Sequence, residues 1–568
     1  MVSDADKKST SLLTTVLLIL LAACSPLWGK TADVGVGMAW TETPTPFLPV
    51  GILPTLLTSP LQPSPVASST PQIPENEASQ IWTSEAVSPR LMVYLSSSGL
   101  QITSDSLAAL YHLDIQTAEN GPQTTWIYAL VVPFPTIIDD VLWDDFLDAW
   151  QGRSAGPFAG APLWMDSSTL KAISALLGPP ASDSVRTAPA DILTESAWLK
   201  QPSWGIVPFD ELKPRWKVLN LDGQSPISKD FDPDIYPLKV TFGFQEEGLP
   251  PNFTLPESNR DPGKLTTLIM TGVTAMVRAT AAKMERNGIL YPGKDIRAWL
   301  LSADLTHISN EIPFSENCPF PDPNQATLVF CSDPKYITLL EDVGTDIVEL
   351  TGNHFQDWGS DATLLTLEMY DQRGWIYFGG GVNLADARSA KTIIHNGNKL
   401  AFIGCNPAGP QFAWATDYQP GAAPCDFGWM ESEINRLRSE GYLPIVTFQY
   451  AESYSIHPLP DQVDDFRAMA AAGAVIVSGS QAHLPQTIEF YNESFIHYGL
   501  GNLFFDQMDF PVVGTRREFI DRHIFYDGKY IGTELLTAML EDYSRPRPMT
   551  LEERFTFLEE IFSASGWY

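Results

Sequence analysis

The sequence predicts an α/β fold, because short continuous apolar runs alternate with helical segments over much of the chain. Residues 445–448 and 474–477 are two such runs, and an amphipathic segment precedes each of them. Continuous apolar strands joined by crossover helices are typical of a sheet that is covered on both faces. The chain has 568 residues, which is too many for one hydrophobic core, so we expect two or three domains.

The chain is strongly acidic. It carries 35 Lys and Arg residues against 68 Asp and Glu residues, which gives a net charge of −33. Phosphate binding needs a basic face, so we expect no nucleic-acid partner. Adhesion to anionic lipid through a basic patch is disfavoured for the same reason. A solvated acidic surface is typical of a soluble extracellular protein.

The N-terminus predicts an export signal. Lys7 and Lys8 precede an apolar run at residues 12–23, which is too short to span a bilayer as a helix. The run ends in Leu-Ala-Ala followed by Cys24, which resembles a bacterial lipobox. The resemblance implies cleavage before Cys24 and anchoring to the cell membrane through a lipid on its thiol. We therefore expect a signal peptide at residues 1–24, with an ordinary secretory signal as the alternative.

Composition predicts a tether after this signal. Residues 25–80 are rich in Pro, Ser and Thr and show no helical or strand periodicity in their second half. Such a segment is extended in part by polyproline II geometry. We expect it to hold the folded part of the protein away from the membrane.

Four cysteines remain after Cys24, and they form two pairs that are local in sequence. Four cysteines allow three pairings, of which the local one is the simplest. In an oxidising compartment we expect disulfides within these pairs. A zinc site is the alternative, although no Cys-x-x-Cys spacing supports it. The expected pairs are Cys318–Cys331 and Cys405–Cys425.

A first, smaller α/β domain is expected at residues 81–250. Apolar runs predict strands at residues 91–95 and 126–132, and the stretch at 104–111 predicts a short helix between them. Further along, the pattern predicts helices at residues 140–150 and 167–177, with Asp166 or Ser167 as the cap of the second.

Residues 204–219 resemble a segment of periplasmic solute-binding proteins in which a strand leads into a short turn. The resemblance implies that the first domain is solute-binding-like. A purely structural α/β module is the alternative, because no specific ligand residue stands out in this region.

A second domain is expected at residues 262–510. Residues 265–272 and 346–350 predict buried strands, and residues 393–403 predict a hairpin through an Asn-Gly turn. We expect the remaining residues, 511–568, to form a helical and loop-rich tail.

Four short polar segments follow apolar runs of this second domain. The carboxyl ends of strands in an open α/β sheet meet at one edge, where ligands bind. We therefore expect the four segments to build one site. They lie at residues 306–311, 352–357, 449–453 and 479–486.

The ordered set of motifs in this domain resembles the CapA family, the poly-γ-glutamate capsule synthesis proteins. The resemblance implies a layered α/β sandwich like that of calcineurin-like metallophosphoesterases, here preceded by the smaller solute-binding-like domain. The matching motifs are Ala303-Asp304-Leu305 leading to Glu311, Asn353-His354 with Asp357 and Gly359, Glu452 with Tyr454, Gly479 with His483 and Gln486, and residues 498–504.

Several positions depart from the family pattern. Valine cannot bind a metal ion, and a neutral amide oxygen is a poor ligand for transition metals. A full two-metal centre is therefore not expected; we expect either one divalent ion (Mn, Fe or Zn) or a metal-free polar pocket. The departures are Val273 for aspartate, Ser309 for asparagine, and Gln449, Ser480 and Gln481 for histidines.

The resemblance assigns roles to the remaining polar residues. His354 and Asp357 are the candidate acid/base pair, and Glu311, Asn353 and His483 are the candidate metal ligands. His307, Gln449, Glu452, Ser480 and Gln481 are expected to line the pocket.

Two functions follow from these observations. The first is a cell-surface lipoprotein of the CapA type that acts in the synthesis or anchoring of a capsule or anionic polymer, with that polymer or envelope-synthesis proteins as partners. The second is a non-catalytic extracellular binding protein that recognises a solute or a polymer.

Overall fold

The computed structural model describes residues 80–116, 122–153, 156–245 and 253–567. The expected signal peptide, the lipidation site Cys24 and nearly all of the expected tether lie outside the described residues. Two α/β regions follow one another along the described chain, which confirms the predicted fold class.

The N-terminal region (residues 80–260) is built on a mixed sheet in which β4 is a long central strand. The strand order is β2-β1-β3-β11-β4-β8-β6-β7, with β9 also pairing with β4 and a short β10–β5 pair beside it. The strands are β1 Gln80–Thr83, β2 Gln101–Thr103, β3 Tyr111–Ile115, β4 Gln123–Pro133, β5 Asp140–Val141, β6 Leu163–Met165, β7 Val185–Thr187, β8 Trp204–Pro208, β9 Trp216–Val218, β10 Asn220–Leu221 and β11 Lys239–Phe244. The helices are α1 Pro89–Ser97, α2 Trp143–Trp150, α3 Ser167–Leu177 and α4 Leu193–Trp198.

Two element predictions in this region are wrong. Residues 91–95 lie in helix α1, where Leu91 and Leu95 are buried one turn apart while Val93 is 64% exposed. The Ser88 side chain accepts a hydrogen bond from the Leu91 N–H and so caps this helix. Residues 104–110 form a turn, because their two leucines, Leu107 and Leu110, are exposed and give a helix no face to bury.

Other elements of the N-terminal region follow the predictions. Helix α3 begins after Asp166, whose carboxylate accepts a hydrogen bond from the Thr169 N–H. The helix predicted at residues 140–150 begins three residues later, because Asp140 and Val141 pair with β10.

The C-terminal region (residues 261–567) is a sandwich of two sheets. The first sheet has the order β16-β15-β14-β12-β25-β26-β27, and the second has the order β18-β19-β21-β22-β24-β23. The strands are β12 Leu265–Thr271, β13 Val273–Thr274, β14 Leu305–Asn310, β15 Ile347–Glu349, β16 Ile376–Phe378, β17 Gly380–Gly381, β18 Lys391–His395, β19 Asn398–Cys405, β20 Gly421–Ala422, β21 Leu443–Ser453, β22 Ile476–Ala482, β23 Ile488–Tyr491, β24 Ser494–His497, β25 Arg517–Tyr526, β26 Lys529–Glu541 and β27 Arg545–Pro548. The helices are α5 Arg278–Asn287, α6 Arg297–Leu301, α7 Ile337–Asp342, α8 Ser360–Asp371, α9 Leu384–Arg388, α10 Phe427–Ser439, α11 Pro460–Ala472 and α12 Leu551–Ala564.

Alternation along the strands explains why each sheet is buried on both faces. In β12, Leu268 and Met270 belong to the core between the sheets, whereas Ile269 packs with the helices of the first sheet. In β21, Ile445 faces the same inner core and Val446 packs on the side of α10 and α11. The result is a helix–sheet–sheet–helix arrangement, the layered sandwich that the sequence predicts.

The prediction of a helical and loop-rich tail at residues 511–568 is wrong for residues 517–548. Strand β25 lies between β12 and β26 in the first sheet and pairs with both in antiparallel fashion. The charged residues Asp521 and Arg522 within β25 make the strand look like a loop in the sequence. Asp521 is nevertheless buried, because it contacts His497 inside the sandwich.

The two regions share apolar packing and polar contacts. Ile524, Tyr526 and Ile531 of the sandwich belong to the hydrophobic core of the N-terminal region. At the other end of the contact, Arg554 of α12 forms an ion pair with Asp139 at 3.0 Å. The sandwich therefore gains part of its burial from the region that precedes it.

Both expected disulfides are present. Cys318 is bonded to Cys331, and Cys405 is bonded to Cys425. Each closes a loop that leaves the carboxyl end of a strand, β14 or β19. The described residues contain no helix that is long and apolar enough to cross a membrane.

Candidate functional site

The four predicted segments meet at the carboxyl ends of β14, β15, β21 and β22. Glu311 directly follows β14, and Asn353 lies in the loop between β15 and α8. Gln449 lies within β21, where the pairing with β22 becomes irregular, and Gln481 comes from the end of β22; both strands belong to the second sheet. The site therefore spans the edges of both sheets of the sandwich.

The side chain of Gln449 is the centre of this site. Its Nε2 donates to Glu311 Oε1 at 3.0 Å and to Asn353 Oδ1 at 2.7 Å, and it also contacts Gln481 Oε1. Gln449, Glu311 and Gln481 are all at most 4% exposed. Glu311, Asn353, Gln449 and Gln481 together form the amide cluster. Gln449 stands where a histidine is expected, and the hydrogen bonds of its amide connect the two sheets.

A glycine allows the loop of Asn353 to approach Glu311. A Cβ atom on Gly352 would lie 2.4 Å from the Glu311 carbonyl oxygen, which no other residue tolerates. Since Gly352 directly precedes Asn353, this close approach brings the Asn353 side chain to the amide cluster.

His354 and Asp357 form a hydrogen-bonded pair beside the cluster. His354 Nδ1 lies 2.6 Å from Asp357 Oδ2, and the same carboxylate oxygen accepts a hydrogen bond from the Phe330 N–H at 2.8 Å. Partial burial acts to lower the pKa of His354, but the hydrogen bond to Asp357 and the charge of Glu311 outweigh it and raise that pKa above its ordinary value. With Nδ1 held by Asp357, Nε2 is the ring nitrogen available to hold or release a proton.

His483 follows β22 and is held by a residue of the last predicted motif. Its Nδ1 lies 2.8 Å from Asn502 Oδ1, an acceptor, so the Nδ1–H donates. The ring stacks on Phe505 with centroids 4.9 Å apart and lies 5.9 Å from the Tyr454 ring. None of the hydrogen bonds of the amide cluster involves His483.

The sequence reasoning missed Arg278, which begins α5 just after β13. Its guanidinium forms an ion pair with Asp506 and lies over the rings of Phe330 and Phe505, at 5.1 and 5.4 Å from their centroids. Phe330 in turn contacts the His354 ring at 4.9 Å. The signal in the sequence was its position, seven residues after the end of β12. Asn502 lies within a predicted motif, at residues 498–504, but was given no role there.

The residues present do not fit a two-metal centre. Val273 is 1% exposed and packs with Ile312, Phe330 and Phe505 in a small apolar cluster, at the position where the resemblance in sequence implies an aspartate. The described residues include no group of three or more His, Cys, Asp or Glu side chains close enough to share an ion. Transition metals favour imidazole, thiolate and carboxylate ligands, whereas Glu311 is the only such group in the amide cluster.

Three predicted pocket residues make none of the hydrogen bonds of the cluster. His307 is buried inside the sandwich, where its Nε2 lies 3.3 Å from Glu349 Oε2. Glu452 is exposed and accepts a hydrogen bond from the Tyr454 hydroxyl at 2.6 Å. Ser480 is buried next to Gln481, and its hydroxyl donates to the Phe448 carbonyl at 3.3 Å.

Comparison with known families gives one match. Residues 267–507 match the model of a family described as bacterial capsule synthesis protein PGA_cap. The matched segment contains the amide cluster, the His354–Asp357 pair and His483.

Two curated relatives are similar to the same part of the chain. The capsule biosynthesis protein CapA of Bacillus anthracis is 26% identical over 260 residues, which cover 44% of this chain and 62% of that protein. The PGA biosynthesis protein CapA of Bacillus subtilis (strain 168) is 30% identical over 175 residues, which cover 30% of this chain and 45% of that protein. The chain thus spans less than two thirds of the length of either relative.

Solved structures show only distant likeness. The calcineurin-like phosphoesterase YfkN from Bacillus subtilis has 12% identity and a TM-score of 0.29, covering 52% of this chain and 97% of its own. An ABC-type phosphate transport receptor from Vibrio cholerae has 13% identity and a TM-score of 0.24, covering 30% of this chain and 88% of its own. Such low scores support no conclusion about function.

Proposed function

We propose a role in capsule synthesis, of the kind performed by CapA proteins. The proposal is based on the match of residues 267–507 to the family of bacterial capsule synthesis proteins. The relatives from Bacillus anthracis and Bacillus subtilis are named for capsule and PGA biosynthesis, and this supports a role in capsule synthesis here. In our proposal, the protein takes part in making or anchoring an anionic extracellular polymer of the poly-γ-glutamate kind.

The proposed contribution of the site is to bind the polymer. The single observation that carries this step is the set of hydrogen bonds from Gln449 to Glu311, Asn353 and Gln481. Amides stand where a two-metal hydrolase needs ionic or imidazole ligands, so the strand ends retain polar recognition without that centre. The pKa of His354 beside the cluster is raised, because Asp357 and Glu311 outweigh the opposing effect of burial, and the protonated form of this imidazole suits a carboxylate ligand.

The proposed location is the outer face of the cell membrane. The lipobox-like segment ending at Cys24 supports a lipid anchor. The two disulfides fit an oxidising compartment outside the cytoplasm. The proline-rich residues that follow Cys24 would give the folded part freedom to reach a polymer near the surface.

A hydrolytic function is a second candidate, and one observation favours it. His354 has its Nδ1 fixed by Asp357 and its Nε2 available, which is the arrangement of a general acid. In that case a water molecule would attack a phosphoester or an amide of the polymer, and His354 would donate a proton to the leaving group as its bond breaks.

Binding of a defined polymer tests the proposal. Full-length protein in detergent is mixed with poly-γ-glutamate, and bound polymer is measured after pull-down, alongside dextran sulfate as an anion of different chemistry. We expect binding that is lost in His354→Ala and retained in His457→Ala, which removes an exposed histidine elsewhere.

Three outcomes separate the alternatives. Equal binding by His354→Ala and wild type would refute the assignment of the site, and absence of polymer binding would refute the proposed function. Shortening of the polymer by wild type but not by His354→Ala would favour hydrolysis over binding alone. Circular dichroism of each variant establishes that it is folded.

A further inference from the structure

The backbone of Arg278 is strained. Its φ angle is +44°, in the left-handed region that is unfavourable for any residue with a side chain. Asp506 holds this conformation, because its Oδ2 accepts one hydrogen bond from Arg278 Nε and another from the Ala279 N–H, each at 3.1 Å. Strain of this kind persists where its surroundings fix it, and it is concentrated at functional sites. Arg278 is therefore a candidate for a role in ligand binding.

The guanidinium of Arg278 keeps one nitrogen for a ligand. Its Nε and Nη2 both bond Asp506, whereas no hydrogen bond among the described residues uses its Nη1. His354 has the same arrangement, since Asp357 holds its Nδ1 and no described residue bonds its Nε2. Both side chains are 19% exposed. The edge of the strands thus presents two cationic groups to solvent, each with a nitrogen that can donate.

The two groups lie beside the same aromatic ring. Arg278 Cζ is 5.1 Å from the centre of the Phe330 ring, and the centre of the His354 ring is 4.9 Å from it. Burial and, to a smaller degree, the charge of Arg278 act to lower the pKa of His354, against the larger effects of Asp357 and Glu311. Two neighbouring positive groups repel each other, and an anionic ligand bound at both would remove this repulsion.

The acidic side chains of the site are less accessible than its cations. Asp506, Asp357 and Glu311 are at most 9% exposed. Asp357 also accepts a hydrogen bond from the Phe330 N–H at 2.8 Å, and Glu311 accepts one from Gln449 Nε2 at 3.0 Å. An anion that approaches from solvent therefore meets the two cations in front of carboxylates that already have donors.

We propose that Arg278 and His354 bind neighbouring carboxylates of the polymer, and that Arg278 thereby makes the site selective for a repeating polyanion. This role of Arg278 rests on the proposed function, which supplies the polymer as the ligand. Guanidinium and imidazolium N–H groups are both strong donors to carboxylate oxygens. A ligand with one negative group can occupy only one of the two positions, whereas a polymer can occupy both at once and gains affinity from it.

The experiment measures binding of fluorescently labelled poly-γ-glutamate to the full-length protein in detergent by fluorescence anisotropy. Arg278→Gln should weaken binding about tenfold or more, the effect of losing one hydrogen bond between charged groups. Arg278→Lys keeps the charge and should weaken binding less. Arg373→Gln is the matched control and should bind like wild type. Arg373 also pairs with a carboxylate, Glu341, and lies over the ring of Trp375, but it follows the carboxyl end of α8.

A second comparison uses wild type alone and does not depend on the folding of a variant. Acetate carries one carboxylate, so it should displace the polymer only when its concentration exceeds that of the polymer carboxylates about 100-fold or more. Polyphosphate serves as a repeating anion of different chemistry.

Each outcome decides the question. Weaker binding by Arg278→Gln, with Arg373→Gln unchanged, supports the role of Arg278. Equal binding by wild type and a folded Arg278→Gln overturns it and leaves the proposed function standing, as does displacement by acetate at the concentration of the polymer carboxylates. Tighter binding of polyphosphate through Arg278 would overturn the choice of a carboxylate. Absence of polymer binding by wild type would refute both this role and the proposed function. A thermal melt of each variant distinguishes lost binding from lost folding.

Discussion

Two histidines of the same sandwich lie in opposite environments. His354, at the edge of the strands, has a side chain that is 19% exposed and bonded to Asp357, and its pKa is raised. His523, inside the sandwich on β25, is 1% exposed and contacts the hydroxyl groups of Tyr530 and Thr533 at 3.1 and 3.2 Å. Burial lowers the pKa of His523 to about 4, against a smaller opposing effect of Asp521.

The comparison shows what decides the charge of an imidazole in this fold. At the edge, a hydrogen-bonded carboxylate outweighs partial loss of water, and the ring is ready to carry a proton. In the interior, complete loss of water outweighs a nearby carboxylate, and the ring stays neutral. The edge is therefore suited to ligand chemistry, whereas the interior histidines serve the stability of the sandwich.

The largest expected effect comes from breaking the buried pair of the interior. His497 Nδ1 lies 2.6 Å from Asp521 Oδ2, and both residues are at most 1% exposed. Removal of one partner of a buried pair leaves the other without compensation and costs about 3–5 kcal/mol. Asp521→Ala should therefore lower the free energy of unfolding by that amount in guanidinium titrations. A change below 1 kcal/mol would show that the pair carries no such weight.

The second effect is a loss of stability in acid. Below pH 6.5 the unfolded chain binds a proton at His523, while the folded chain does so only near pH 4. The free energy of unfolding should thus fall by about 3 kcal/mol as the pH drops through this window, with no contribution from His523 above pH 6.5.

Denaturant titrations at several pH values measure this effect. The variant His523→Gln should lose that part of the pH dependence, whereas His457→Gln, at an exposed histidine, should keep it. Identical pH profiles for His523→Gln and wild type would contradict the neutral, buried state of this ring.

The smallest effect concerns the edge pair. Asp357→Asn removes the carboxylate that stabilises the His354 imidazolium, so the pKa of His354 should fall. NMR titration of the ring protons measures this value directly, and Asp361→Asn in the first turn of α8 is the control. An unchanged pKa in Asp357→Asn would assign the raised value to Glu311 instead.

Local pattern made part of this architecture predictable. Apolar runs followed by polar segments located the strand ends, and the closeness of Glu311 and Asn353 follows from the rule that parallel strands of one sheet end at one edge. Gln449 joins them from the second sheet, which that rule does not cover. The two disulfides followed from their closeness in sequence. These features depend on residues near one another or on a general property of sheets.

Features that depend on partners distant in sequence were not predictable. Strand β25 carries two charged residues, Asp521 and Arg522, which are not typical of a buried strand. Asp521 is buried against His497, which belongs to another strand. His307 belongs to a polar segment, but alternation along β14 turns it into the interior toward Glu349. Helix α1 contains an apolar run at residues 91–95 that is typical of a strand, and its cap, Ser88, lies outside that run.

The central claim is that amide side chains stand in place of transition-metal ligands at the edge of the sandwich. Elemental analysis of full-length protein, purified without chelator and then incubated with Mn²⁺, Fe²⁺ or Zn²⁺, tests it most directly. The account predicts no stoichiometric transition metal in wild type. One or two such ions per chain, lost in His483→Ala, would contradict the claim and restore a metal-dependent hydrolase.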